Sequence, residues 1–456
     1  MRAGLKRVLR ALAAVPPFAV LGVTWLLVIL YAYPGQMTVD SYDHLREART
    51  GLYTDAHPPI LNLLFKVADA IVKGPVLMLF AQTVMLLLGL YLVLRRRFSK
   101  PAAAWIASAM FLSPPVMLPM TMIWKDGLMA GAMMLGLAGM LSTKYRSAKI
   151  AGLVAIFIAT AVRYNAFAGT FGLVVFAFEW RPMRWYKRYA ISFVTWLAIT
   201  MAAFRINDAM TDVHMHYWHT SLALYDIAGT LTYTDDDLTD AQVMDLCAGT
   251  GLQITTNIQV EMRSMYSTRD FFSLVANQDH RLWNVPLGGT DPPPAAQVAA
   301  IEAAWKRIVT KYPHGYVKHR VSVLSKVLAL KIGRITGLVS QRDYFNYLGD
   351  GYGLHVHSWK FQYALSDAER WLSENMLFMF RPWVYLLVAI GLLLMALRLP
   401  DALALLLSGI GMESTLVFLA PSTDYRYSHW MITATIVAFA ILLGTRLQKA
   451  RAQPST

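Results

Sequence analysis

The chain has 456 residues, of which 56% are hydrophobic and only 15% charged, where a soluble protein carries about 25% charged residues. That balance excludes an ordinary soluble enzyme, and the single cysteine, Cys247, excludes an intramolecular disulfide framework and a cysteine-rich metal site. The net charge of +14 would suit nucleic acid, but its placement along the chain argues against that partner.

Residues 1–10 are basic and lead into an apolar stretch without a clear small-residue cleavage site, which reads as an uncleaved first span. Apolar runs predict membrane helices over about 13–33, 75–94, 102–119, 127–142, 149–162, 165–179, 189–204, 382–397, 402–420 and 430–446. Runs this continuous indicate helices rather than barrel strands, because a helix satisfies its own backbone hydrogen bonds in lipid. The expected fold is therefore an all-α polytopic membrane protein of about ten transmembrane helices. Residues 1–204 form an N-terminal transmembrane module, 205–381 a mixed, mainly helical extracytoplasmic domain, and 382–456 the C-terminal helices.

Orientation follows from the short loops. Arg2, Lys6, Arg7, Arg10, Arg95, Arg96, Arg97, Lys100, Lys144, Arg146, Lys149, Arg181, Arg184, Lys187, Arg188, Arg398, Arg446, Lys449 and Arg451 all fall on one side. Glu179 and Asp401 are the only acids among them, so this side is read as cytoplasmic, with both termini on it. Topology and contact with anionic lipid then account for the charge, and no nucleic acid is needed. The size and style are those of a bacterial inner-membrane protein with a periplasmic site.

The opposite side holds the loop 34–59, turns near 120–126 and 163–165, the segment 205–381 and the turn 420–429, and it carries all eleven histidines. Within 205–381, Thr232-Tyr-Thr-Asp-Asp-Asp-Leu-Thr-Asp240 predicts a turn into a capped helix, and Asp291-Pro-Pro-Pro294 precedes an amphipathic helix around 295–311. The stretch 321–338 is apolar but interrupted by Lys326, Lys331 and Arg334, which predicts an interfacial helix rather than a span.

Four motifs on this side carry chemical potential. The first outer loop contains Asp40-Ser-Tyr-Asp43-His44 and later His57-Pro58-Pro59. A carboxylate at the mouth of a cavity between helices can take a proton from a hydroxyl nucleophile, while the plainer reading has Asp40 cap a helix beginning at Ser41. Trp124-Lys125-Asp126 offers a cation for a phosphate, with Asp126 capping the next helix or orienting Lys125, or else a snorkelling interfacial anchor. Arg163-Tyr164-Asn165 puts an arginine in very apolar surroundings, where it needs an anionic partner or headgroup exposure. Asp424-Tyr425-Arg426-Tyr427-Ser428-His429 presents a planar guanidinium fork among aromatics able to stack on a sugar or isoprene, or an interfacial cluster. Glu413, inside a predicted span, is expected to be paired or to line the same cavity. Three imidazoles, His214, His216 and His219, have the composition of a divalent-metal site but no identifiable supporting carboxylate, and His355-Val-His357 is weaker still.

These motifs come from separated segments, yet topology brings them to one membrane face. Together they resemble the GT-C class of integral-membrane glycosyltransferases, the group of protein O-mannosyltransferases and aminoarabinose transferases. The likeness rests on Asp40, His57-Pro58-Pro59, Trp124-Lys125-Asp126, Arg163-Tyr164-Asn165 and Arg426-Tyr427. It implies a GT-C-like fold and inverting transfer of a sugar from a polyprenyl-phosphate donor to a hydroxyl of a cell-envelope acceptor. That acceptor is a glycan such as lipopolysaccharide or O-antigen, a lipid or a protein. By this likeness Asp40 or Asp43 is the base, while Lys125, Arg163 and Arg426 hold the donor phosphate. His57, Asp126, Asn165, Tyr425, Tyr427 and His429 complete the substrate site. No metal is required, because Lys and Arg neutralise the leaving phosphate. The likeness also implies amphipathic helices on the membrane within 40–73. The chain departs from the family in placing its large outer segment between the seventh and eighth predicted spans, and in having Asp-Ser-Tyr-Asp where an Asp-Glu pair is common. Two other classes remain open: a transporter or flippase of lipid-linked glycan, against which stands the lack of repeat symmetry, and a glycan polymerase or ligase using a diphosphate lipid.

Overall fold

The computed structural model describes residues 10–277, 279–286, 289–331, 352–354 and 358–452. Among these the regular structure is entirely helical, apart from isolated bridges between loops. The N-terminal helices are α1 (Pro17–Ala32), α2 (Val39–Thr50), α3 (Pro59–Ile71), α4 (Val76–Leu94), α5 (Lys100–Leu112), α6 (Pro114–Thr121), α7 (Lys125–Met140), α8 (Arg146–Ala161), α9 (Ala166–Ala177) and α10 (Trp185–Met210). The outer segment contributes α11 (Leu224–Tyr233), α12 (Asp240–Leu246), α13 (Ile258–Met265), α14 (Ala295–Lys311), α15 (Pro313–Val327) and α16 (Lys360–Asn375). The chain closes with α17 (Pro382–Ala396), α18 (Pro400–Leu419) and α19 (His429–Ala452).

Helices occur at all ten predicted positions, but they are not ten equal spans. Among the described residues four stretches are long and apolar enough to cross a membrane: 76–94, 185–210, 400–419 and 425–450. A fifth crossing results if α5 and α6 act as one, bent by 68°. The bend has a local cause, since Pro114 and Pro115 force Ser113 into an extended conformation and remove helix donors. The other helices are shorter; 16 residues, as in α1 and α7, rise only about 24 Å, against a hydrocarbon core of about 30 Å.

Helix α10 leaves the longest apolar face uncovered, with Trp185, Ile191, Val194, Leu197 and Met201 all exposed on one 26-residue helix that is long and apolar enough to cross a membrane. Elsewhere the bundle packs through small residues. A methyl group on Gly172 of α9 would lie 2.4 Å from the backbone nitrogen of Ser408 on α18, so only glycine allows this approach. Buried Gln82 of α4 donates to the carbonyls of both Met120 and Met122, at 2.8 Å each, and so satisfies the backbone where helix gives way to the turn before α7.

The outer segment has its own core, in which α11 packs against α14 and α15. The expected cap is present: Thr239 accepts from the Gln242 amide and opens α12. Of the expected interfacial helix within 321–338, the described part is the end of α15, in which Val323 and Val327 pack into this core while Val321 is exposed; residues 332–338 lie outside the described residues. At the centre, Asp226 accepts from Trp305 at 2.9 Å and pairs with both His319 and Arg320. Arg320 also donates to the Ala420 carbonyl at 3.1 Å, fastening this domain to the end of α18.

Candidate functional site

The first outer loop and the turn before α7 are zipped together. Gln36 and Met122 form a bridge, Ser41 Oγ donates to the Ile123 carbonyl at 2.7 Å, and Trp124 Nε1 donates to Thr38 Oγ1 at 2.9 Å. Thr38 and Ser41 form the capping box of α2. The cap reading of Asp40 is thereby corrected: with the helix end already served, its carboxylate turns to another partner. Arg426 Nη2 lies 2.8 Å from Asp40 Oδ2 and 3.2 Å from Asp424 Oδ2. The same guanidinium sits 4.7 Å over the Trp124 ring and 5.5 Å over that of Tyr427.

Burial by itself would raise the Asp40 carboxyl. Arg426, aided by His57 and Lys125, outweighs burial and holds the group well below the ordinary carboxylate range. Asp43 behaves differently, being raised by burial while it pairs with Arg46 at 2.9 Å on its own helix. Of the two carboxylates in this motif, only Asp40 faces the cations of other segments.

Lys125 opens α7, and its Nζ lies 3.5 Å from His57 Nδ1. Among the described residues no carboxylate is within ion-pair distance of this ammonium. Asp126, expected to orient it or cap the helix, is instead fully buried and paired with Arg163. Arg163 Nε also donates to Asn165 Oδ1 at 2.7 Å, and Asn165 in turn donates to Thr415 Oγ1 at 2.8 Å. The Arg163 guanidinium lies 5.1 Å over the Tyr427 ring, so Tyr427 stands between two arginines.

Behind Lys125 runs a buried polar chain that the motifs only partly disclosed. The rings of His57 and His44 are 4.4 Å apart, and His44 Nδ1 donates to Asn62 Oδ1 at 2.6 Å. Asn62 donates to Glu47 at 2.6 Å, and Glu47 accepts from the amide and hydroxyl of Thr54. Burial and then the neighbouring cation push His44 down to about 4, and burial with His44 and Lys125 lowers His57 as well. Both imidazoles are therefore neutral at physiological pH.

A cavity of about 560 Å³ adjoins this cluster. Lys125, Arg163, Asn165 and Tyr427 line its charged end, while Phe167, Phe204, Leu416 and Leu419 supply an apolar wall. Phe204 and Leu419 are exposed on the outside of the bundle, so that wall opens onto its apolar flank. The segment after α10 closes the remaining side with His216, Tyr217, Trp218 and His219. His216 holds a left-handed backbone (φ 52°), a costly state for a non-glycine residue. The Asp55 carboxylate secures it by accepting from the amides of Met215, at 2.7 Å, and His216, at 3.3 Å.

Several expected contributors lie elsewhere. Tyr425 is buried against Phe380, with its hydroxyl toward the Pro115 carbonyl. His429 donates to the Val116 carbonyl at 3.1 Å and is fully buried. Glu413 is buried and accepts from Ser428 at 2.8 Å, outside the cavity lining. These three tie turn to bundle, and Tyr425 and His429, expected at the substrate, lie outside the cavity lining. The rings of His214, His216 and His219 are spaced 6.2 and 5.7 Å apart along the segment. Among the described residues no group of three or more His, Cys, Asp or Glu side chains is placed to hold a metal ion. His355 and His357 lie outside the described residues. Asp55 and Tyr217, both at the cavity, were not singled out by any motif, since their proximity depends on pairing between the first loop and residue 213.

Comparison with known proteins gives no match to a family model, a curated protein or a solved structure.

Proposed function

We propose that this chain is an inverting glycosyltransferase that moves a sugar from a polyprenyl-phosphate donor to an acceptor hydroxyl at the outer face of a membrane. The observation that carries the reading is one juxtaposition. A cavity with an apolar wall toward lipid ends at the Lys125 ammonium, with Arg163 beside it and the Asp40–Arg426 pair close behind. A lipid phosphate needs that combination, with hydrocarbon for the tail and cations for the headgroup.

In this reading the tail enters past Phe204 and Leu419, and the phosphate settles against Lys125 and Arg163. Arg426, already paired with Asp40 and Asp424, gains a third anion there, and the Asp40 carboxylate becomes a stronger base as the guanidinium is shared further. The acceptor O–H loses its proton to Asp40 as its oxygen bonds to the anomeric carbon. The bond from that carbon to the phosphate oxygen breaks, and the electron pair leaves on polyprenyl phosphate, which the cations stabilise. Trp218, His216 and His219 offer stacking and hydrogen-bonding surface for the sugar or acceptor. The ten helices at the expected positions cross the membrane in this scheme. Both termini face the cytoplasm of a bacterial inner membrane, and the site opens to the periplasm.

The test uses purified protein with a radiolabelled polyprenyl-phosphate sugar and cell-envelope acceptor. Free polyprenyl phosphate released in step with labelled acceptor supports the reading. Movement of intact donor across a vesicle membrane indicates a transporter, and preference for a diphosphate donor indicates a polymerase or ligase.

A further inference from the structure

A second cavity, of about 490 Å³, lies between α4, α7 and α8 at the opposite end of these helices from Lys125, and the proposed transfer makes no use of it. Its rim carries Arg96 and Lys144 with the hydroxyl residues Ser142 and Thr143, and its interior is hydrocarbon from Leu92, Leu135, Ala138 and Ala151. Leu92 and Ala151 are exposed on the outside of the bundle, so the interior is open along the helix flank.

The rim is built by contacts between two turns. Arg96 Nη1 donates at 2.7 Å to the carbonyl of Leu141, where α7 ends and a backbone acceptor is left without a helical partner. Asp401 is shared between Arg97, at 2.9 Å, and Arg96, at 3.8 Å. Among the described residues it is the one acid that ion-pairs with the cations of these two turns, which comprise Arg95, Arg96, Arg97, Lys100, Lys144, Arg146 and Lys149. Lys144 is exposed and rests on the ring of Tyr145 at 4.9 Å. Lys144, with no ion-pairing acid among the described residues, and Arg96, only partly offset by the Asp401 it shares with Arg97, therefore stand over an apolar slot that opens along the helix flank.

We propose that this cavity binds an anionic phospholipid, with its phosphodiester between Arg96 and Lys144 and an acyl chain along Leu92, Leu135, Ala138 and Ala151. Charge selects the headgroup, because a zwitterionic lipid brings no net anion to a rim with excess cations. The hydrocarbon interior selects a lipid over a dissolved phosphate, which would use the rim alone. The small side chains of Ala138 and Ala151 supply the depth that an acyl chain needs.

The experiment is native mass spectrometry of the full-length protein released from detergent containing phosphatidylglycerol or phosphatidylcholine, with glycerol phosphate as a soluble competitor. One phosphatidylglycerol is expected to remain bound where phosphatidylcholine does not, with no displacement by glycerol phosphate. Lys144→Gln should weaken retention about fivefold, the loss of one cation near an anionic headgroup. Ala151→Phe should fill the slot and abolish retention, whereas Lys187→Gln, on the same side but outside the cavity, should leave it unchanged. Equal retention of phosphatidylcholine, displacement by glycerol phosphate, or an equal effect of Lys187→Gln and Lys144→Gln would each overturn the proposal. Full retention by Lys144→Gln would overturn it too, and because Lys144 is exposed that variant is informative even if Ala151→Phe does not fold.

Discussion

The two ends of this helical bundle treat positive charge in opposite ways. Around the large cavity each cation has a specific neighbour: Arg426 holds Asp40, Arg163 holds Asp126, and Lys125 stands beside His57. At the other end the cations of 95–100 and 144–149 share a single ion-pairing acid, Asp401, among the described residues. The difference teaches that number and position of cations do separate work. An excess in short loops orients a chain and attracts anionic lipid, and it tolerates the loss of any one member. A cation buried beside a carboxylate is held to one geometry, and its loss leaves an uncompensated charge.

The comparison can be broken most severely at Asp40. Asp40→Asn removes the proposed base and should lower the proposed transfer by about a thousandfold, within the range for general-base catalysis, while the purified protein stays monodisperse. Undiminished release of polyprenyl phosphate by that variant would sink the assignment. Next in size, Lys125→Met should lower kcat/KM about a hundredfold, the scale for removing one charge-stabilising group. Arg146→Met, a cation of the other face, should change it by less than about twofold, as expected of a screened surface charge. Equal losses in the two variants would mean that the cavity cation has no special place.

Smaller effects test how the site is supported. Asp55→Ala strips the acceptor from the part-buried amides of Met215 and His216 and should cost about 1 kcal/mol, the scale of a lost hydrogen bond that water can partly replace. Faster proteolysis near residue 214 and a lower melting temperature would report it. The neutral imidazoles supply a pH test. The His44 value in the folded protein, about 4, lies below the unfolded value of about 6.5. The unfolded chain therefore binds more protons between those values, and stability is full above about pH 6.5 and declines as pH falls toward 4. From pH 6.5 to 5 the loss from His44 should be about 2 kcal/mol, and His44→Gln should flatten that part of the melting-temperature profile.

Much of the candidate site was legible because several of its residues are costly to place in an apolar chain. Asp40, Lys125, Arg163 and Arg426 stood out as charges at the ends of hydrophobic runs, and the structure brings all four into one neighbourhood. Within the turn 424–429 the pattern failed to separate neighbours. Tyr427 reaches the cavity and stands between two arginines, while Tyr425 and His429 turn into the bundle. Which way each side chain points is set by a short helical turn whose register depends on contacts with Pro115 and Val116, far away in sequence. Asp55 and Tyr217 were silent for the same reason, since an aspartate in a loop and a tyrosine near histidines have no meaning until Thr54 meets Val213.

By itself the sequence disclosed the apolar helices that suggest a membrane and the residues that stand out as polar among them. Hydrophobic run length and the distribution of Lys and Arg are additive properties of local segments, and no contact between segments is needed to read them. Only the tertiary structure decided which charges neutralise one another. Thr38 and Ser41 cap α2, which frees Asp40 for Arg426, and Asp126 turns to Arg163, which leaves Lys125 facing the cavity without a carboxylate partner among the described residues. Ion pairing depends on distances of a few ångströms between segments hundreds of residues apart, and those distances exist only once the helices have packed.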